Sequence, residues 1–167
     1  GIHATGYAGP VNVSAASVRT SGSYATGIHA VSNGDVTIDV GDVRTTGDNS
    51  VGVNGQAGQR PAYDEDIGLP ILSDPADLTI RADNIETRGH SSDGLIATNF
   101  TKVNTSVEIG SVSTSGDNSW GAYAGGFGNV SLHAGTVETT GVGSVGLGAV
   151  SYYGDVDVSA GSVVTRG

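Results

Sequence analysis

Residues 36–55 read VTIDVGDVRTTGDNSVGVNG. Val36, Ile38 and Val40 alternate with Thr37 and Asp39, Val43 and Thr45 flank Arg44, and glycines stand at 47 and 52. Apolar alternation at period two marks a strand with one buried face, and the glycines mark turns. The same pattern recurs along the chain. Val18, Val43, Ile85, Val112, Val137 and Val163 are each followed two residues later by threonine (20, 45, 87, 114, 139, 165) and four later by glycine (22, 47, 89, 116, 141, 167). A second glycine follows the first five of these after five residues, at 27, 52, 94, 121 and 146. Self-similarity at a fixed period indicates a solenoid whose units pack on their neighbours.

Each unit divides into three inward-facing runs. The first holds Val11/Val13/Ala15 and its equivalents, the second is the valine-x-threonine pair, and the third is Ile28/Ala30 and its equivalents. Three short strands per coil of about 25 residues predict an all-β chain folded as a parallel β-helix of about six coils. Coils about 4.8 Å apart give a rod of roughly 29 Å. Parallel crossovers are overwhelmingly right-handed, so a right-handed coil is expected. The threonine column is expected to point inward at a corner, its hydroxyls bonded to main chain. Turn segments such as Asp48-Asn49-Ser50 are expected to bond to their own backbone or to the neighbouring coil.

Length variation falls at one corner, after the third strand. Five connectors there have five to seven residues, and the sixth runs from Gln56 to Asp77, twenty-two residues. Residues 1–167 thus read as one solenoid with 56–77 as an inserted loop. The insert holds Pro61, Pro70 and Pro75 and the acidic residues Asp64, Glu65, Asp66, Asp74 and Asp77. It reads either as a tolerated surface insertion or as a display site on a fixed scaffold. The same corner gathers Tyr7, Tyr63, Phe100, Phe127, Tyr152 and Tyr153, six of the nine aromatics. Such rings either close a corner of the core against water or stack on sugar rings, and the first is expected here. The candidate ligand-binding residues are Tyr63, Asp64, Glu65, Asp66, Tyr152 and Tyr153.

The formal net charge is −10, from 7 basic and 17 acidic residues. That balance disfavours nucleic acid and anionic membrane surfaces. There is no cysteine, so no disulfide or thiolate site exists, and no apolar run approaches the ~20 residues of a transmembrane helix. Asp64-Glu65-Asp66 lacks the spacing of known calcium loops. His3 and His29 share a phase and should stack on the outside, without the further ligands a metal needs. Neither a catalytic carboxylate dyad nor a cofactor site is indicated. The start and stop in phase with the repeat read as an excised or processed piece of a longer chain.

The stretches GDVTIDVGDVRTTGDNSVGV (34–53) and GNVSLHAGTVETTGVGSVGL (128–147) resemble the β-helical passenger regions of bacterial autotransporters and related large surface adhesins. The resemblance implies a structural or adhesive segment at the bacterial surface or outside the cell, and the lack of a carboxylate dyad makes a non-enzymatic role the expectation. It would associate through its ends or with neighbouring coils of a longer chain, and would meet surface glycans. The alternatives are a carbohydrate-processing β-helix, which needs converging carboxylates on an outer face, and an ice-binding module, which needs a regular outward threonine grid.

Overall fold

The computed structural model describes residues 1–7, 9–58, 62–63, 70–71 and 74–167. In chain order the strands are β1 (Ile2–Gly6), β2 (Val11–Ser21), β3 (Ile28–Ser32), β4 (Val36–Thr46), β5 (Val53–Ala57), β6 (Ala62–Tyr63), β7 (Pro70–Ile71), β8 (Leu78–Arg88), β9 (Leu95–Asn99), β10 (Thr105–Ser115), β11 (Trp120–Gly126), β12 (Val130–Thr140), β13 (Val145–Ser151) and β14 (Val156–Arg166). There is no helix among the described residues. The short strands form one six-stranded sheet, β1-β3-β5-β9-β11-β13, and the long strands another, β2-β4-β8-β10-β12-β14. Both run in chain order, and the ladders within them are parallel. A chain that always pairs one coil back with one coil forward is a β-solenoid, here of six turns.

The repeat columns are the ladder registers. Val18 pairs with Val43, Val43 with Ile85, Ile85 with Val112, Val112 with Val137 and Val137 with Val163, and the threonines follow in the same order. The division into three strands is corrected in one respect: the first two are continuous. Each long strand has 11 residues, and the register passes from Ala15↔Val40 to Ser17↔Asp42 across a single skipped position. Two consecutive residues face outward there, as Asp83 and Asn84 do in β8, and the inward set restarts at Ile85. This one-residue change of phase bends the strand. Since neighbouring coils bend at the same place, their hydrogen bonds continue through it.

The two glycine columns have different causes. Gly47 has φ 130° and Asn49, two residues on, φ 56°, so this corner turns through left-handed backbone, which glycine and asparagine adopt at least cost. Gly52 instead lies flat on the next coil, and a Cβ there would meet the Gly94 carbonyl oxygen at 2.5 Å.

Between these glycines runs a ladder of buried hydroxyls. Ser92 Oγ donates to Gly47 O of the preceding coil at 2.9 Å and accepts the Ser50 N–H at 3.2 Å. Ser119 accepts the Ser92 N–H at 3.0 Å, and Ser144 accepts the Ser119 N–H at 3.2 Å. The threonine column is buried at Thr45, Thr87, Thr114 and Thr139. Its expected main-chain bonds form at Thr20, to Ala25 O at 2.6 Å, at Thr87, to Ser92 O at 2.9 Å, and weakly at Thr45, to Ser50 O at 3.4 Å. Among the described residues Thr114 and Thr139 Oγ1 have no hydrogen-bond partner. The Thr139 methyl still lies close to the neighbouring backbone: a Cβ on Gly121 would meet Thr139 Cγ2 at 3.2 Å.

The core is a narrow column of Val, Ile, Leu and Ala, including Ile28, Ile38, Ile80, Leu95, Val107 and Leu132. It continues into the borders of the insert. Gln56 and Ala57 remain in β5, paired with Thr98 and Asn99. Ala76 is buried, and its carbonyl accepts Asn99 Nδ2 and Thr101 Oγ1, each at 2.9 Å. Ala62–Tyr63 and Pro70–Ile71 form a two-residue antiparallel pair.

Candidate functional site

The corner after the short strands carries the aromatic residues, because this is where coil length varies and a large ring need not fit the core. The expectation that these rings close the core holds in part: Phe100 and Phe127, on inner coils, are half-buried, and the tyrosines of the first and last coils are exposed. Tyr152 and Tyr153 are 71% and 63% exposed, and Tyr7 is exposed as well. The buried positions under this corner are instead taken by small polar side chains that bond to the backbone. Ser32 Oγ donates to Gly9 O at 2.5 Å and Ser151 Oγ to Gly128 O at 2.7 Å. Asn99 Nδ2 donates to Asn104 O at 3.1 Å, and Asn99 Oδ1 accepts the Thr101 N–H at 2.9 Å. The rings above them are exposed at Tyr152 and Tyr153 and half-buried at Phe100 and Phe127.

They form one patch across three successive coils. The Phe127 ring lies 6.4 Å from Phe100, 5.1 Å from Tyr152 and 5.9 Å from Tyr153 between centroids, all tilted. Lys102 Nζ sits 5.0 Å from the Tyr153 ring centroid, within cation–π reach. Of the residues predicted to bind ligand, Tyr152 and Tyr153 are thus brought together, with Phe100, Phe127 and Lys102 added. Asp64, Glu65 and Asp66 lie outside the described residues. Tyr63 is placed only as the backbone of β6.

The outer face of the long-strand sheet holds a ladder of alternating charge. Asp39, Arg81, Glu108 and His133 are in register on β4, β8, β10 and β12. Arg81 Nε is 3.0 Å from Glu108 Oε2, and His133 Nδ1 is 2.6 Å from Ser159 Oγ. With Asp83 these side chains line an open groove of about 540 Å³. Reading each column for a second carboxylate in the adjacent coil overlooks this arrangement, because the acids alternate with bases.

On the short-strand sheet His3 and His29 stack as expected, with centroids 4.9 Å apart and planes within 12°. Burial, and then the charge of His3, hold His29 below the ordinary imidazole range. Among the described residues no group of three or more His, Cys, Asp or Glu is placed to hold a metal ion. Trp120 and Tyr123 of the same face were not singled out from the sequence. The available signal was Trp120 itself, the sole tryptophan, with a glycine, Gly148, in register with Tyr123 one coil on. Compared with protein-family models, with curated proteins and with solved structures, the chain finds no match.

Proposed function

We propose that this chain is a structural or adhesive β-helical segment of a secreted or surface-exposed bacterial protein. The repeat's likeness to passenger regions motivates the setting. The observation that carries the adhesive role is the aromatic patch of Phe100, Phe127, Tyr152 and Tyr153. Two exposed tyrosines seated on half-buried phenylalanines, on a surface otherwise rich in Gly, Ser and Thr, favour contact with another molecule. The ring faces and the adjacent Lys102 suit the C–H faces and hydroxyls of surface glycans. The scaffold holds them rigidly, since each coil is bonded to the next at both corners as well as along both sheets. A pull-down on immobilised neutral and acidic polysaccharides tests it. Retention of the wild-type chain and loss with a Tyr152→Ala/Tyr153→Ala double variant is the expected result. No retention on any glycan would remove the adhesive role and leave a spacer.

A carbohydrate-processing β-helix is favoured by one observation, the presence of Asp39, Asp83 and Glu108 in the groove with Arg81 and His133. Asp39 and Glu108 stand two strand spacings apart, roughly 9.6 Å. That is at the outer limit for an inverting pair of carboxyls, about 6.5–9.5 Å. Arg81 lies between them and is bound to Glu108, which fits a charge ladder that neutralises neighbouring strands better than an acid–base pair. Release of reducing or unsaturated ends from polysaccharide, abolished by Glu108→Gln, would reverse the preference.

A further inference from the structure

The outer face of the short-strand sheet is nearly free of charge. Three columns cross it: Thr26, Val51, Asp93, Trp120 and Val145; His3, His29, Asn54, Ile96, Tyr123 and Gly148; and Thr5, Val31, Gln56, Thr98, Gly125 and Val150. Asp93 is the one carboxylate in them, and among the described residues it forms no ion pair. It lies beside the two aromatic residues of this face. Asp93, Ile96, Trp120 and Tyr123 line an open surface hollow of about 270 Å³.

The hollow is built by the backbone as well as by the side chains. Asp93 Oδ1 accepts the Trp120 N–H at 2.7 Å, which fixes the carboxylate of one coil against the indole-bearing residue of the next. The Trp120 ring lies over Gly148, where a Cβ would strike it. The Tyr123 ring folds back over Gly125, where a Cβ would meet the phenol oxygen at 2.9 Å. The two glycines therefore leave room for both rings close to the sheet. The rings stand 5.6 Å apart between centroids and 78° from parallel, so they form two walls of a corner. Ile96 adds an apolar surface to the hollow and Asp93 a carboxylate at its edge. Among the described residues Asp93 Oδ2 accepts no hydrogen bond, and burial pushes the Asp93 carboxyl above its ordinary range against the opposing effect of the Trp120 N–H.

We propose that this hollow binds a quaternary or alkyl ammonium group, with the Trp120 and Tyr123 rings and the Asp93 carboxylate as its three recognising elements. A half-desolvated carboxylate without a cation partner gains most from a cationic ligand. Tryptophan and tyrosine are the side chains whose ring faces attract a cation most strongly. A right-angled corner fits a compact, near-spherical group better than a flat sugar ring, which needs a single open platform. The formal net charge of −10 adds attraction for a cation and repels anionic ligands.

Trp120 is the only tryptophan, so intrinsic fluorescence reports this hollow alone. Emission is titrated with choline chloride at constant ionic strength, and in parallel with 3,3-dimethylbutan-1-ol, the neutral isostere of choline, and with methyl β-glucoside. The expected result is a saturable change with choline that is at least tenfold weaker with the isostere. Asp93→Asn, which keeps the acceptor for the Trp120 N–H, is expected to weaken choline by a similar factor, and Tyr123→Ser to abolish saturation, with circular dichroism unchanged. Equal response to choline and its isostere, saturation by the glucoside alone, or no saturable response overturns the proposal. The comparison of the two isosteres uses the wild-type chain and therefore holds even if a variant fails to fold.

Discussion

Ser92 joins three coils at one buried point: its Oγ accepts the N–H of Ser50 at 3.2 Å, while its own N–H donates to Ser119 Oγ at 3.0 Å. Main-chain bonds between coils at this corner, such as Asn49 N–H to His90 O at 2.9 Å, are supplemented by the hydroxyls of Ser50, Ser92, Ser119 and Ser144, and these bonds run along the solenoid axis. Ser92→Ala would leave the buried Ser50 N–H and Gly47 C=O without that partner. A loss of about 1–3 kcal/mol is expected for the orphaned groups, read from urea unfolding. A change below about 0.5 kcal/mol would mean that water replaces the hydroxyl without cost.

The in/out alternation predicts a sharp contrast at adjacent positions, and the register refines it. Val112 is buried between Ile85 and Val137, so Val112→Asp would bury an unpaired charge at a cost of several kcal/mol. Ser113 is exposed, but it lies in register between Glu86 and Glu138. Ser113→Asp is therefore expected to cost about 0.2–1 kcal/mol by like-charge pairing, and Ser113→Lys to stabilise by a similar amount. Equal signs for the two Ser113 variants at low salt would remove the cross-strand account.

The insert should be removable, but within narrower limits than its sequence boundaries. Gly58 and Ala76 both lie against Thr101, so the ends of the excursion are close. Deleting residues 59–73 and joining the ends through a short Gly/Ser link is expected to keep the cooperative unfolding seen by circular dichroism. Deleting 56–77 removes Ala57 and the Ala76 acceptor as well. It is expected to cost about 3 kcal/mol more, from several buried hydrogen bonds at roughly 1 kcal/mol each. If both deletions behave alike, Ala76 is not part of the core.

His29 gives the fold a pH dependence of known sign. Its folded pKa lies below the ordinary 6.5, so the unfolded chain binds more protons between those two values. The contribution is complete above about 6.5 and is lost as the pH falls through the folded pKa. His3→Asn removes the repelling charge but leaves the burial, so the His29 pKa should rise and remain below that of an exposed histidine. NMR titration of the imidazole Cε1–H of His29 measures this, and an unchanged pKa in His3→Asn would show that the stacked pair is not electrostatically coupled.

Period-two alternation, glycine phase and the threonine column were enough to specify a solenoid, its coil boundaries and which residues face inward. In a solenoid each residue's environment repeats from coil to coil, so local sequence and three-dimensional position carry nearly the same information. Outward relationships are not repeated in this way. The continuity of the long strands through the bend depends on neighbouring coils bending together. The patch of Tyr152 and Tyr153 with Phe127 and Phe100 depends on three coils placing unlike connectors side by side. The alternation of Asp39, Arg81, Glu108 and His133, and the corner formed by Trp120 and Tyr123 beside Asp93, arise between coils whose surface residues differ. Packing of the interior obliges no pattern there, so the juxtaposition of unlike side chains emerged from stacking the coils.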